Sequence, residues 1–136
     1  MKTPLLSVII PTKDRYMTLV PELTSLIKYI ESDEIEFIIQ DNSENREGLG
    51  NLLLDKRVVY NHIPTPMSMK DNTTEAILKV KGEYTIFIGD DDLLSPYIVS
   101  IVKLMKEKNM NCLIYDAAYY WWDSIEFVNE TYYHKK

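Results

Sequence analysis

Cysteine is almost absent from this sequence: among 136 residues there is only Cys112. An internal disulfide framework is therefore excluded, and the chain suits a reducing compartment. Cys112 lies in the apolar run Cys112-Leu113-Ile114-Tyr115, which predicts a buried, inert thiol. Glycine is also scarce, with four residues. Gly48-Leu49-Gly50 starts like a dinucleotide fingerprint, but no third glycine follows and the nearest strand lies too far upstream, so it reads as a turn. There is no basic run or stripe, and a net charge of −6 argues against nucleic acid as the main partner. No stretch approaches the ~18 apolar residues of a transmembrane segment. Met1-Lys2-Thr3-Pro4 leads into a short apolar stretch that Pro11 ends, unlike a signal peptide. These absences predict a soluble, cytoplasmic protein. His62 has no second His or Cys nearby, which favours a loop or surface residue over a metal ligand.

What is present supports a core. A hydrophobic content of 46% argues against disorder, and the length suits one compact domain over residues 1–136. No repeat, low-complexity segment or linker divides it.

The chain reads as alternating strands and helices. Leu5 to Ile10 predicts a buried strand stopped by Pro11, followed by the polar loop Thr12-Lys13-Asp14-Arg15. A helix is expected from Thr18 to Ile30, with Thr18 as N-cap so that Pro21 falls in the first turn. Leu19, Leu23, Leu26, Ile27 and Ile30 then share one face. Glu36 to Gln40 is a second strand, ending at Asp41-Asn42-Ser43. Leu49 to Leu54 suggests a short helix, and Arg57 to Asn61 a third strand. Ser68 opens a helix to about Val80, with Lys70, Asp71 and Asn72 in its first turn.

Tyr84 to Ile88 then reads as a buried central strand, and Asp90-Asp91-Asp92 follow it. Ser95-Pro96 looks like the N-cap and first residue of a helix to about Lys108, buried through Ile98, Ile101, Val102 and Met105. Cys112 to Ala118 is expected as a fifth strand, before an aromatic tail over the rest of 111–136. The pattern predicts a mainly parallel, twisted α/β sheet with helices on both faces. Three polar strand ends, Thr12–Arg15, Asp41–Ser43 and Asp90–Asp92, would then emerge on one edge, where open α/β folds bind ligands. Adjacent carboxylates repel, and a divalent cation is the simplest resolution. Taken alone, the acidic turn also has a lesser reading as a solvated helix-capping cluster.

These blocks resemble the amino-terminal, nucleotide-sugar-binding portion of a family 2 glycosyltransferase of GT-A, Rossmann-like fold. The resemblance rests on Val8-Ile9-Ile10-Pro11-Thr12-Lys13-Asp14-Arg15, on Ile38-Ile39-Gln40-Asp41-Asn42-Ser43, and on Ser68, Asn72, Ala76, Gly82-Glu83-Tyr84, Asp90-Asp91-Asp92 and Pro96. It covers about residues 5–104. It implies metal-dependent, inverting transfer of a sugar from a nucleotide diphosphate sugar, often a UDP-sugar, to a saccharide or lipid-linked acceptor, as in polysaccharide biosynthesis.

The resemblance also implies roles. Pro11, Thr12 and Asp14 would line the nucleoside pocket, Asp41 would bond the base, and Asn42, Ser68 and Asn72 would belong to the nucleotide-sugar site. Asp90 would approach the ribose, with Asp91 in the donor site. Asp92, with Asp90, would hold Mn²⁺ or Mg²⁺, while Arg15 and Lys70 would contact the diphosphate or remain solvated charges. Gly89 departs from the usual acidic turn, in which that position is often Asp. The general base is unassigned, with Asp123 and Glu126 as candidates and Glu130 the other late acid.

Two alternatives stay open. One is a truncated or non-catalytic nucleotide-sugar-binding module that lacks the general base. The other is a phosphotransfer receiver, which would need acids at the first strand end, where Pro11-Thr12 stands, and an Asp closing the third strand. The cluster Tyr119, Tyr120, Trp121, Trp122, Tyr132 and Tyr133 reads as core, as apolar surface that further residues or a partner chain in a homo-oligomer would cover, or as an acceptor platform. A cytoplasmic enzyme peripheral to the membrane is a further expectation.

Overall fold

The computed structural model describes residues 3–46 and 48–114. Four parallel strands, β1 (Leu6–Thr12), β2 (Ile35–Asp41), β3 (Val58–His62) and β4 (Tyr84–Phe87), form one sheet in the order β3-β2-β1-β4. Three helices connect or follow them: α1 (Tyr16–Tyr29), α2 (Met69–Ile77) and α3 (Ile98–Glu107). The strands have near-continuous apolar sequences because the sheet is covered on both faces. Leu6, Val8 and Ile10 of β1 and Phe37 and Ile39 of β2 pack with Leu19, Leu23 and Leu26 of α1 and Ile98, Val102 and Met105 of α3. Ile9 and Ile38 face the other way, onto Ala76 of α2. The alternation along each strand thus assigns each helix its face.

β1 continues through Pro11 to Thr12 rather than stopping at the proline. The odd residues of β1 turn their backbone groups towards β4, as Leu5 O and Ile9 O accept from Tyr84 N and Ile88 N. The missing N–H of Pro11 falls on that side, beyond the last β4 partner, so no ladder bond is lost. Helix α1 begins at Tyr16, with Arg15 at the N-cap, not at Thr18. Pro21 therefore lies inside the helix, where it leaves the carbonyl of exposed Met17 without its helical donor. At the other end of α1, Arg57 Nη2 and Nη1 donate to Ile27 O at 2.9 Å and Ile30 O at 2.5 Å, while Asp55 pairs with the same guanidinium at 2.8 Å. That satisfies the carbonyls of Ile27 and Ile30 at the end of the helix.

Several expectations shift. The stretch Leu49–Leu54 is a 3-10 turn over Gly50–Leu54, and His62 is the last residue of β3 rather than a residue beyond it. Helix α2 ends at Ile77, short of Val80, with Ser68 as its N-cap. Helix α3 begins at Ile98, and Ser95 caps the turn before it, its Oγ accepting from Tyr97 N at 3.2 Å. Its far end closes with Met110 N on Met105 O and Asn109 N on Lys106 O, Asn109 taking a left-handed φ of 54°. Tyr84–Phe87 is not the centre of the sheet: among the described residues it is an edge strand, with Thr85 and Phe87 exposed. Cys112 is exposed, not buried, and Cys112–Ile114 form no strand. Among the described residues, the apolar run emerges from the turn after α3 without joining the ladder of β4, and the thiol stays exposed. The rest of the expected fifth strand, Asp123, Glu126, Glu130 and the aromatic tail lie outside the described residues.

Candidate functional site

The parallel register carries three polar strand ends to one edge. Thr12 is level with Asp41 in the β1–β2 ladder, and the β1–β4 register, continued by three residues, brings it level with Asp90. Thr12 Oγ1 donates to Asp90 Oδ2 at 2.6 Å, and Asp90 is buried. The other Asp90 oxygen takes Arg15 Nη1 at 2.9 Å, and Arg15 Nη2 reaches Asp91 Oδ2 at 2.5 Å. The hydrogen bond to Asp91 and the charge of Asp90 raise the Arg15 pKa. Asp92 turns back on its own loop, its Oδ2 accepting from Gly89 N at 2.8 Å. Asp90 and Asp91 share one guanidinium, and Asp92 closes the turn.

The second strand end is more enclosed. Asp41 is fully buried. Its Oδ1 accepts from Ser43 N at 2.8 Å and Ser43 Oγ at 2.5 Å. Its Oδ2 accepts from the hydroxyls of Tyr60, at 2.6 Å, and Tyr16. Burial pushes this carboxyl up, but the bonds from Ser43, Tyr16 and Tyr60 outweigh it and hold the pKa below the usual value. Tyr60, desolvated and bound to Asp41, is pushed well above a free phenol. Tyr60 also stacks on His62, with ring centroids 6.5 Å apart, and the Arg46 guanidinium lies 5.0 Å from its ring centre.

The loops are tied across this edge. Asp14 adopts a left-handed φ of 56°, and its N–H donates to Ser43 Oγ at 2.8 Å, linking the β1 and β2 loops. Asn42 Nδ2 holds Ile63 O at 2.6 Å and Thr65 O at 2.7 Å. Asn72, buried on α2, donates to Gln40 O at 3.2 Å and Thr12 O at 3.4 Å, bridging two strand ends. Ser68 Oγ accepts from Asp71 N at 3.1 Å and donates to Asp71 Oδ2 at 2.8 Å, so its hydroxyl serves as a helix cap. Lys70 is exposed in the first turn of α2, and Pro11 is half-buried beside Thr12. Every expected site residue up to Asp92 therefore lies on this edge or in the helix turn beside it.

Glu22 escaped notice in the sequence. It sits on the buried face of α1 between Leu19 and Leu26, fully buried, and neither carboxyl oxygen has a hydrogen-bond partner. Burial, reinforced by the negative field of Asp90, Asp92 and Asp91, pushes its pKa up to about 10, so it is protonated at neutral pH. The signal was available: Glu22 falls three residues after Leu19 and four before Leu26, on the stripe that faces the core.

Two features bear on a divalent cation. The turn offers hard oxygen donors, and a guanidinium already bridges two of its carboxylates, so the donor set fits Mg²⁺ or Mn²⁺. Among the described residues, no group of three or more His, Cys, Asp or Glu side chains is placed to hold a metal ion. Such an ion would need oxygens from water and from a bound phosphate.

A parallel α/β sheet with its polar loops gathered at one carboxyl edge belongs to the class of open α/β folds, which bind ligands at that edge. Glycosyl transferase family 2 matches residues 7–134 of this chain. The chain belongs to that family. Among solved structures, the 1–349 portion of S. aureus TarS superposes with a TM-score of 0.61 at 16% identity, covering 76% of this chain and 32% of that one. A longer S. aureus TarS chain superposes with a TM-score of 0.61 at 18% identity, covering 76% of this chain and 20% of that one. The chain thus spans a third or less of these neighbours, and at such identities the likeness establishes the GT-A-like fold. No curated protein matches. Among the described residues, no helix is long and apolar enough to cross a membrane.

Proposed function

We propose that residues 1–136 form a single domain, the donor-binding portion of a metal-dependent glycosyltransferase that takes its sugar from a nucleotide diphosphate sugar, a UDP-sugar by preference. The observation that carries this reading is the junction of strand ends at Thr12, between Asp41 and Asp90. The nucleoside would lie along this edge, against Pro11, Thr12 and Asp14. The base would meet the wall built by Asp41, Asn42, Tyr16 and Tyr60. Direct contact with Asp41 would require one tyrosine hydroxyl to turn away, since both carboxylate oxygens are engaged. Asp90, fixed by Thr12, would serve the ribose.

Asp92 and Asp90, with Asp91 beside them, would hold Mn²⁺ or Mg²⁺. Bound there, the cation would offset charge on the leaving diphosphate. The exposed side of the turn and the first turn of α2, with Ser68, Lys70 and Asn72, would face the diphosphate, because a helix N-terminus favours phosphate. In the transfer itself, an acceptor hydroxyl attacks the sugar C1 as the C1–O bond to the diphosphate breaks, with inversion. The acceptor would be a saccharide or lipid-linked sugar. Asp123 and Glu126 remain the candidates for taking the hydroxyl proton.

The test is calorimetric titration of UDP into the protein with Mn²⁺, then with EDTA, repeated on Asp91→Ala and Asp92→Ala. The reading expects metal-dependent binding that each substitution weakens at least tenfold. A folded protein that binds no UDP, GDP or dTDP under any of these conditions would overturn it.

A further inference from the structure

The acidic turn is already neutralised in part by a residue of the chain. Arg15 does not grip one carboxylate with both arms. Its Nη1 takes Asp90 Oδ1 at 2.9 Å and its Nη2 takes Asp91 Oδ2 at 2.5 Å, so the guanidinium is a bridge between two neighbouring acids. We propose that Arg15 is an exchangeable internal cation: it bridges Asp90 and Asp91 until a divalent cation held by Asp92 and Asp90 claims the Asp90 oxygen, and then turns its guanidinium to the donor diphosphate. This deepens the donor-site reading and rests on it.

Three observations support an exchange rather than a fixed structural pair. The Arg15 side chain is 48% exposed and that of Asp91 is 43% exposed, so the outer half of the bridge sits in water, where an ion pair adds little stability. The inner acid, Asp90, keeps its own donor in Thr12 and does not need Arg15 to stay in place. Arg15 is also the N-cap of α1 and makes no side-chain cap, so its side chain can swing without opening the helix.

The charges point the same way. Two neighbouring carboxylates, Asp90 and Asp91, share one guanidinium, and the carboxylate of Asp92 follows them in the same turn with no cation paired to it among the described residues. The turn is therefore short of positive charge, and a divalent ion matches it better than a single guanidinium. A divalent ion and Arg15 on the shared carboxylate of Asp90 would repel each other, which makes occupancy alternate. Once released, a planar guanidinium at the start of α1 is suited to a diphosphate, which it binds through parallel N–H donors.

The experiment measures cation binding without turnover. Free Mn²⁺ is counted by electron paramagnetic resonance in the presence of wild type, Arg15→Gln and Arg15→Lys. In parallel, the Arg15 Nε–H resonance of ¹⁵N-labelled wild type is followed through a Mg²⁺ titration. We expect Arg15→Gln to bind Mn²⁺ alone about tenfold more tightly than wild type, while binding UDP with saturating Mn²⁺ about tenfold more weakly. Arg15→Lys should fall between. In wild type, Mg²⁺ should shift the Nε–H signal and speed its exchange with water. An unchanged or weaker Mn²⁺ affinity in Arg15→Gln, or an Nε–H signal indifferent to Mg²⁺, overturns the exchange. If UDP still binds in those cases, the donor-site reading stands without it. If Arg15→Gln tightens Mn²⁺ but no nucleotide binds to any of the proteins, the diphosphate half of the proposal fails together with that reading.

Discussion

Thr12 and Asp90 are separated by 78 positions in sequence, yet the threonine hydroxyl donates to the buried carboxylate at 2.6 Å. The bond joins the ends of two adjacent parallel strands and fixes the first acid of the turn. Hydrogen bonds to charged groups contribute about 1.5–3 kcal/mol. Thr12→Val, which keeps the shape and removes the donor, should lower stability by about that amount. Thr12→Ser should recover most of it. Urea denaturation of the three proteins checks this, and an unchanged midpoint in Thr12→Val would mean that Asp90 is held by Arg15 alone.

Glu22 should make the fold sensitive to alkali. Its folded pKa, about 10, lies above the ordinary 4.5, so the folded state holds a proton that the unfolded chain releases. Stability is then fully present below pH about 4.5 and declines as pH rises towards about 10. The slope from this one group is at most about 1.4 kcal/mol per pH unit. Glu22→Gln removes the titration, so its melting temperature should fall less between pH 6 and pH 9 than that of wild type. Parallel pH profiles for the two proteins would refute the assignment.

Gly82 should resist any side chain. A Cβ built there would stand 2.6 Å from Ser7 N and 2.8 Å from the carbonyl carbon of Leu6, both backbone atoms of β1. Gly82 N also donates to Ser7 Oγ at 2.8 Å, and Ser7 Oγ in turn donates to Glu36 Oε1 at 2.6 Å. Gly82→Ala should therefore force β4 away from β1 and cost about 1–3 kcal/mol, as overpacking does. Thermal melting reads this directly, and an unchanged melting temperature would show that the loop before β4 gives way freely.

Much of the architecture was legible in the chain. Apolar runs bounded by Pro, Gly and acidic clusters gave four strands within one or two residues, because a strand covered on both faces needs an uninterrupted apolar run. Helical periodicity placed the buried stripes of α1 and α3. Errors gathered at helix starts, where Thr18 and Ser95 carry capping chemistry but Arg15 and Tyr97 hold the N-cap positions. Of the expected fifth strand only Cys112–Ile114 are described, and they form no strand: an apolar pattern alone does not make a ladder.

By itself, then, the sequence determined the α/β class, the helix-covered sheet and the gathering of Thr12, Asp41 and Asp90 on one edge, because local periodicity and parallel connections dictate these. Only the tertiary structure decided what each of those groups touches. Strand order put Thr12 between two acids, β3 brought Tyr60 and the start of α1 brought Tyr16 against Asp41, and the packing of α1 left Arg15 on the acidic turn with Glu22 buried near it. Such pairings depend on distances between residues far apart in the chain, and no local pattern encodes them.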